Sequence, residues 1–293
     1  MNVRNLVIGC ATLFVVFAYA ASPVLTGQSV PASTDLVLVP VMVSDSKNVP
    51  VSTLKQENFQ VLEDNKEQKI VQFSAATDPL TLSVVFGMSE RGPVKSPASK
   101  DRTSVDILSA IERVREANPA GAVNQNPFDS DGMFQTVSKS MDALAKQPGA
   151  KKAMVIISDG LNASGTQSSN VPMPKALIEA SKISQFPIYF LYPVASLPAP
   201  SFTEGSNYAT GYFLEQVSDF SGGEMITGQI ENDLGKVSTN LRDSIKNLYV
   251  LGFQSANTAR DGKWRKLAVK VTPPAGVSKV KVEAKSRYFV PKG

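Results

Sequence analysis

Leu80-Thr81-Leu82-Ser83-Val84-Val85-Phe86 carries no charge and is almost wholly apolar, the pattern of a strand covered on both faces of a sheet. Two more runs of this kind follow, Ala153-Met154-Val155-Ile156-Ile157 and Ile188-Tyr189-Phe190-Leu191-Tyr192. Between them apolar residues recur at helical spacing. Val105, Leu108, Ile111 and Val114 form one set; Phe134, Val137, Met141 and Leu144 form another, ahead of Pro148-Gly149. A helix is expected around Lys175–Ser184, and a shorter one with Tyr212, Phe213 and Val217 after the Pro- and Ser-containing loop Leu197–Asn207. Met225-Ile226 reads as a brief strand, and Leu234, Val237, Leu241 and Ile245 mark a last helix. This alternation predicts an α/β domain over residues 79–247, with a mostly parallel sheet, right-handed crossovers and helices on both faces.

The flanks read differently. Leu36–Val43 is a β-branched run closed by the turn Asp45-Ser46-Lys47-Asn48. Phe59-Gln60-Val61-Leu62 and Ile70-Val71-Gln72-Phe73 are predicted to pair as a hairpin through Asp64-Asn65, residue types that tolerate the left-handed backbone of such turns. At the other end Leu248–Phe253, Trp264–Val271 and Val277–Ala284 read as strands, with Trp264 expected to face the core. Neither segment can bury a core alone. Residues 35–78 and 248–290 together are predicted to form one small β-sandwich with the α/β domain inserted between them.

Composition excludes a good deal of chemistry. The 293 residues include no histidine and one cysteine, Cys10, with 30 Lys and Arg against 26 Asp and Glu. Without imidazole there is no Ser-His-Asp or Cys-His catalysis and no histidine-containing zinc site. Residues 1–20 read as a cleavable export signal: Arg4, the apolar run Leu6–Ala20, and the small-x-small site Ala18-Tyr19-Ala20. The run falls short of the roughly 20 residues that span a bilayer, and no longer one follows. The expected location is therefore periplasmic or extracellular, with no membrane span in the mature chain and no disulfide to hold it. The densest basic stretch, Lys263-Trp264-Arg265-Lys266, reads as a solvated strand face rather than a nucleic-acid patch.

The strand Leu80–Phe86, Asp159-Gly160 after a second buried strand, Ile188–Tyr192 and Gly222-Gly223, in that order, resemble a von Willebrand factor type A (VWA) domain. Val43-Ser44-Asp45 through Phe59-Gln60-Val61-Leu62-Glu63-Asp64, and Leu248–Phe253 followed by Asp261-Gly262-Lys263-Trp264-Arg265, resemble the secreted bacterial proteins called VWFA-related. The resemblance implies a Rossmann-like fold that binds other proteins, often through a divalent cation such as magnesium, and it implies no enzyme activity and no organic cofactor.

The resemblance also implies where a metal would sit: an Asp-x-Ser-x-Ser segment after the first strand, a Thr before a later helix, and an Asp after the next strand. Here the first segment reads Gly87-Met88-Ser89-Glu90-Arg91. Ser89 is kept, Gly87 stands for the Asp, Arg91 for the second Ser, and Asp131 for the Thr; Asp159 is kept. Magnesium wants about six oxygens, one or two of them from carboxylates. At about 4 Å and an effective dielectric near 20 each unit charge is worth about 4 kcal/mol, and Arg91 would repel a divalent ion with about twice that. Two readings stay open: a rewired site of Ser89, Asp131 and Asp159, or a degenerate one in which Arg91 pairs with Asp131 or Asp159. The second is preferred.

The remaining signals are weaker. A Ser-Lys hydrolase stays formally open through Lys151, Lys152 and several serines, as does an envelope component that makes contacts through the sandwich. Gly222-Gly223 lacks the Lys-Ser/Thr of a phosphate loop and is read as a helix end. The polar stretch Asn118–Asp131 predicts no strand, so the sheet is expected to be smaller than in the family, with one edge open to a partner's strand. The partner, protein or glycan, and the oligomeric state are not fixed by the sequence.

Overall fold

The computed structural model describes residues 36–87, 109, 112–116, 123–127, 133–158, 175–194, 206–229, 234–273 and 279–293. Its strands are β1 (Leu36–Asp45), β2 (Phe59–Glu63), β3 (Lys66–Gln68), β4 (Ile70–Ser74), β5 (Thr81–Gly87), β6 (Val123–Pro127), β7 (Lys152–Ser158), β8 (Ile188–Val194) and β9 (Met225–Gln229). The last four are β10 (Tyr249–Gln254), β11 (Trp264–Val271), β12 (Val280–Ala284) and β13 (Arg287–Phe289). The helices are α1 (Met133–Ala145), α2 (Lys175–Lys182), α3 (Ser206–Ser221) and α4 (Leu234–Lys246). A further helical stretch covers residues 112–115.

One five-stranded sheet runs β6-β5-β7-β8-β9, with every pairing parallel. Because side chains alternate across a strand, each inner strand feeds two cores. Ala153, Val155 and Ile157 of β7, with Tyr189 and Leu191 of β8, pack under Leu241 and Ile245 of α4 and under Val114. Met154 and Ile156, with Ile188 and Phe190, pack under Val137 and Met141 of α1, Leu177 of α2, and Phe213 and Val217 of α3. Helices therefore cover both faces.

The segment 118–131 corrects the sequence expectation. Val123–Pro127 is a strand and pairs in parallel with β5, from Leu82↔Val123 to Phe86↔Pro127. Its Asn- and Gln-rich sequence gave no apolar signal. As the outermost strand it needs a ladder on one side only, so pairing outweighs propensity.

The remaining strands form two antiparallel four-stranded sheets, β12-β1-β10-β4 and β13-β11-β2-β3. The first and last thirds of the chain are interleaved: β1 lies between β10 and β12, and β2 pairs with β11. Val39, Val41 and Val43 of β1, Tyr249, Leu251 and Phe253 of β10, and Phe59, Val61, Leu267 and Tyr288 of the other sheet share one apolar cluster. The opposite face of β1 and β10 buries Leu38, Leu248 and Val250, with Ala150 packed against them. β10 is thus covered on both sides, which explains its unbroken apolar sequence. Tyr249 also fixes the connection after β1, since its hydroxyl donates to the Val51 carbonyl at 2.7 Å and accepts from the Leu54 amide at 3.1 Å.

Two details of the antiparallel region differ from the sequence reading. Asp64 and Asn65 do adopt positive φ, 46° and 66°, but the hairpin they close joins β2 to Lys66–Gln68. Ile70–Ser74 leaves for the other sheet and pairs with β10. Gln68 is buried and Val71 exposed, so burial at the corner does not follow hydropathy. Trp264 is half-buried and does not enter the apolar cluster. Its ring packs at a tilt against Phe220 of α3 at 5.1 Å and edge-on against Phe289 at 5.5 Å, with the Arg287 guanidinium 4.8 Å from its ring centre. Arg287 in turn pairs with Asp219 of α3 at 3.1 Å. This cation–aromatic cluster joins the helical layer to β11 and β13.

Candidate functional site

Counted along the chain, the parallel strands lie in the order 2-1-3-4-5. In such sheets ligands settle outside the carboxyl ends, where successive connections diverge to opposite faces. That point falls between β5 and β7. Their last residues, Gly87 and Ser158, are register partners, and β6 ends beside them at Pro127, opposite Phe86.

The predicted site residues Ser89, Asp131 and Asp159 lie outside the described residues, as do Glu90, Arg91 and most of the loop Leu197–Asn207. What the described residues give is the rim from which those segments leave: Gly87, Ser158, Val194 at the end of β8, and Met133 at the start of α1. The fit to a divalent cation is poor at the position that can be checked. Gly87 closes β5 where the resemblance calls for a carboxylate, and a glycine brings no side-chain donor. Among the described residues no three Asp, Glu or Cys gather in a way that could hold a metal. No helix among them is long and apolar enough to cross a membrane.

The lysines of the Ser-Lys hypothesis sit elsewhere. Lys151 immediately precedes β7 and Ser158 ends it, about 23 Å apart at roughly 3.3 Å per residue. The Lys151 ammonium is buried and donates to the carbonyls of Ala76 at 2.5 Å and Lys246 at 3.1 Å. Burial lowers its pKa to about 8, with the Asp78 charge opposing the shift. Lys246 ends α4, so the ammonium also meets the negative end of a helix. Lys151 thereby ties the entry to β5, the start of β7 and the exit from α4. Lys152 donates to the Ala145 carbonyl at 2.8 Å. These lysines hold backbone and activate no described serine.

A second polar constellation escaped the sequence reading. Glu63 is buried, and its carboxylate accepts from the Ser255 hydroxyl at 2.8 Å and from the Tyr288 hydroxyl. Burial and the Glu63 partner raise the Tyr288 pKa. Arg265, also buried, donates to Asp261 at 3.1 and 3.3 Å and to the Ala259 carbonyl at 3.1 Å. That pairing lowers the Asp261 pKa. Arg265 is thus withdrawn from the basic stretch 263–266, and its role is to hold the β10–β11 connection. Nothing in a one-dimensional pattern marks a buried Glu or Arg. Only the register, with Leu267 opposite Glu63 and Arg265 opposite Tyr288, brings these groups together.

No family model matches this sequence, and no curated protein does. Among solved structures the chain is similar to a short-chain flavodoxin associated with a non-canonical PDU bacterial microcompartment. That match has 10% identity and a TM-score of 0.32, over 57% of this chain and 97% of the other. It is also similar to the azoreductase AzrA, at 11% identity and a TM-score of 0.26, again over 57% and 97%. Likenesses this distant carry no argument about cofactor, reaction or family.

Proposed function

We propose that the chain is an exported, non-enzymatic binding module. In this reading a VWA-like domain (79–247) is inserted in a β-sandwich built from 35–78 and 248–290. It engages a protein partner through the loops at the carboxyl ends of the parallel sheet. The observation that carries the reading is the strand order, which puts β5 beside β7 and pairs Gly87 with Ser158. The segments leaving those two residues carry Ser89 and Asp159, and the segment leading into α1 carries Asp131. The absent donor at Gly87 and the nearby Arg91 favour a degenerate metal site, so recognition would rest on the side chains themselves.

Photo-cross-linking with the probe at position 159, compared with position 266 on β11, tests the edge. Partner adducts from 159 alone support the proposal, and adducts from 266 alone transfer the function to the sandwich. Titration with magnesium, manganese and calcium should produce no heat. Saturable binding abolished by Asp159→Ala would restore the metal.

A further inference from the structure

At the amino end of the parallel sheet, opposite the proposed binding edge, β8 and β9 face β12 across a cleft of about 340 Å³. Its floor is set by the way α3 ends. Gly222, at φ +86°, donates to the Asp219 carbonyl at 3.2 Å, and Gly223 donates to the Ser218 carbonyl at 2.9 Å. This is the paired hydrogen-bond pattern of a Schellman turn. A Cβ on Gly223 would lie 2.1 Å from the Ile188 carbonyl oxygen, so only glycine brings the turn this close to β8.

Six polar side chains line the cleft, and three of them, Tyr189, Glu224 and Glu283, make no hydrogen bond to one another; the others are Asp219, Lys285 and Ser286. Tyr189 is 2% exposed, and the only described partner of its hydroxyl is the Met42 thioether at 4.0 Å. Glu224 precedes β9, and its carboxylate accepts no hydrogen bond from a described residue. Burial and the charge of Glu283 raise its pKa, against a smaller opposite effect of Lys281. Glu283, on β12, pairs with Lys281 at 2.5 Å. The cleft's own lysine does not neutralise the pair: the Lys285 stem lies against Gly222, and its ammonium reaches the Ser184 carbonyl at 3.5 Å. No ion pair joins Lys285 to either carboxylate. Met42, Leu248 and Val282 supply an apolar wall.

We propose that this cleft binds a small organic cation, an ammonium on an apolar stem, held between Glu224, Glu283 and the Tyr189 hydroxyl with its stem along Met42, Leu248 and Val282. An ammonium has three donors and no acceptor, which matches two carboxylates and a phenol oxygen. The volume falls at the small end of ligand sites, about 300–1,000 Å³. A hard metal ion could use both carboxylates while keeping its waters, but it would gain nothing from the apolar wall. An anion would meet three carboxylates in the lining, Asp219, Glu224 and Glu283, against the single ammonium of Lys285. The proposal is independent of the partner-binding edge.

The test is titration of the full chain with n-butylammonium, beside butyrate and n-butanol, followed by nuclear magnetic resonance. Saturable millimolar binding of the amine alone is expected, weakened about tenfold by Glu224→Gln, the loss of one charge-assisted hydrogen bond. Tyr189→Phe, which keeps the ring, should weaken it roughly threefold, and it carries the test should the Glu224 variant fail to fold. No saturation by the amine, equal binding of butyrate, or unchanged affinity in a folded variant would overturn the proposal.

Discussion

In the parallel sheet, Ala153 to Ile157 are five consecutive buried residues, every one apolar. The antiparallel region buries Glu63, Gln68, Arg265 and Lys285 beside its valines and aromatics. The first arrangement gains its free energy from area removed from water and needs only the alternation of faces to be right. The second adds polar pairs that are satisfied in a single register, so a slipped strand would strand a charge. One region is specified by pattern and the other by partners.

Phe190→Ala should show the largest effect, because a buried aromatic truncated between helices and sheet leaves a cavity. About 3–5 kcal/mol is expected in urea unfolding. Glu63→Ala should cost about 3 kcal/mol by the same measurement, since the Tyr288 and Ser255 hydroxyls lose their acceptor in a buried setting. Glu63→Gln can still accept from both and should recover part of that. If Gln were as costly as Ala, the carboxylate charge and not the hydrogen-bond geometry would fix the register.

Lys151→Met should cost about 2 kcal/mol at neutral pH by leaving the Ala76 and Lys246 carbonyls unpaired. Its pH dependence has a definite sign. The folded-state pKa is about 8 against an ordinary 10.5. Between those values the unfolded chain binds more protons than the folded one, so stability rises with pH across that window. Lys285, also lowered to about 8 by burial, acts in the same direction. Urea titrations at pH 7 and pH 10 should show the rise shrinking in Lys151→Met; an undiminished rise would remove Lys151 from the account. Gly222→Ala should have the smallest effect, about 1 kcal/mol for a side chain at positive φ, read as a small drop in Tm.

The same contrast explains what the sequence made legible. The runs at Leu80, Ala153 and Ile188 announced β5, β7 and β8 because both faces of those strands are apolar. β6 was missed because Asn124-Gln125-Asn126 is a strand only through its neighbour. The partner of β2 was misassigned because Ile70–Phe73 looks more strand-like than Lys66-Glu67-Gln68, and a chain crossing between sheets leaves no hydropathic trace. The Glu63–Tyr288 contact depends on residues 225 positions apart. Of the candidate site, the sequence supplied the residues and the strand order supplies the rim where their segments begin.

The pairing of β1 with β10 and β12 has a kinetic consequence. Leu38 meets Gly252, and Val43 meets Val282, so the first of the described strands has no sheet neighbour until the residues of β10 and β12 have been synthesised. The α/β segment can collapse through neighbouring contacts in the meantime. The loop that β1 must close is then already compact, which reduces the entropy of that late search. Assembly should therefore proceed from the parallel sheet outward, with the antiparallel strands locking last.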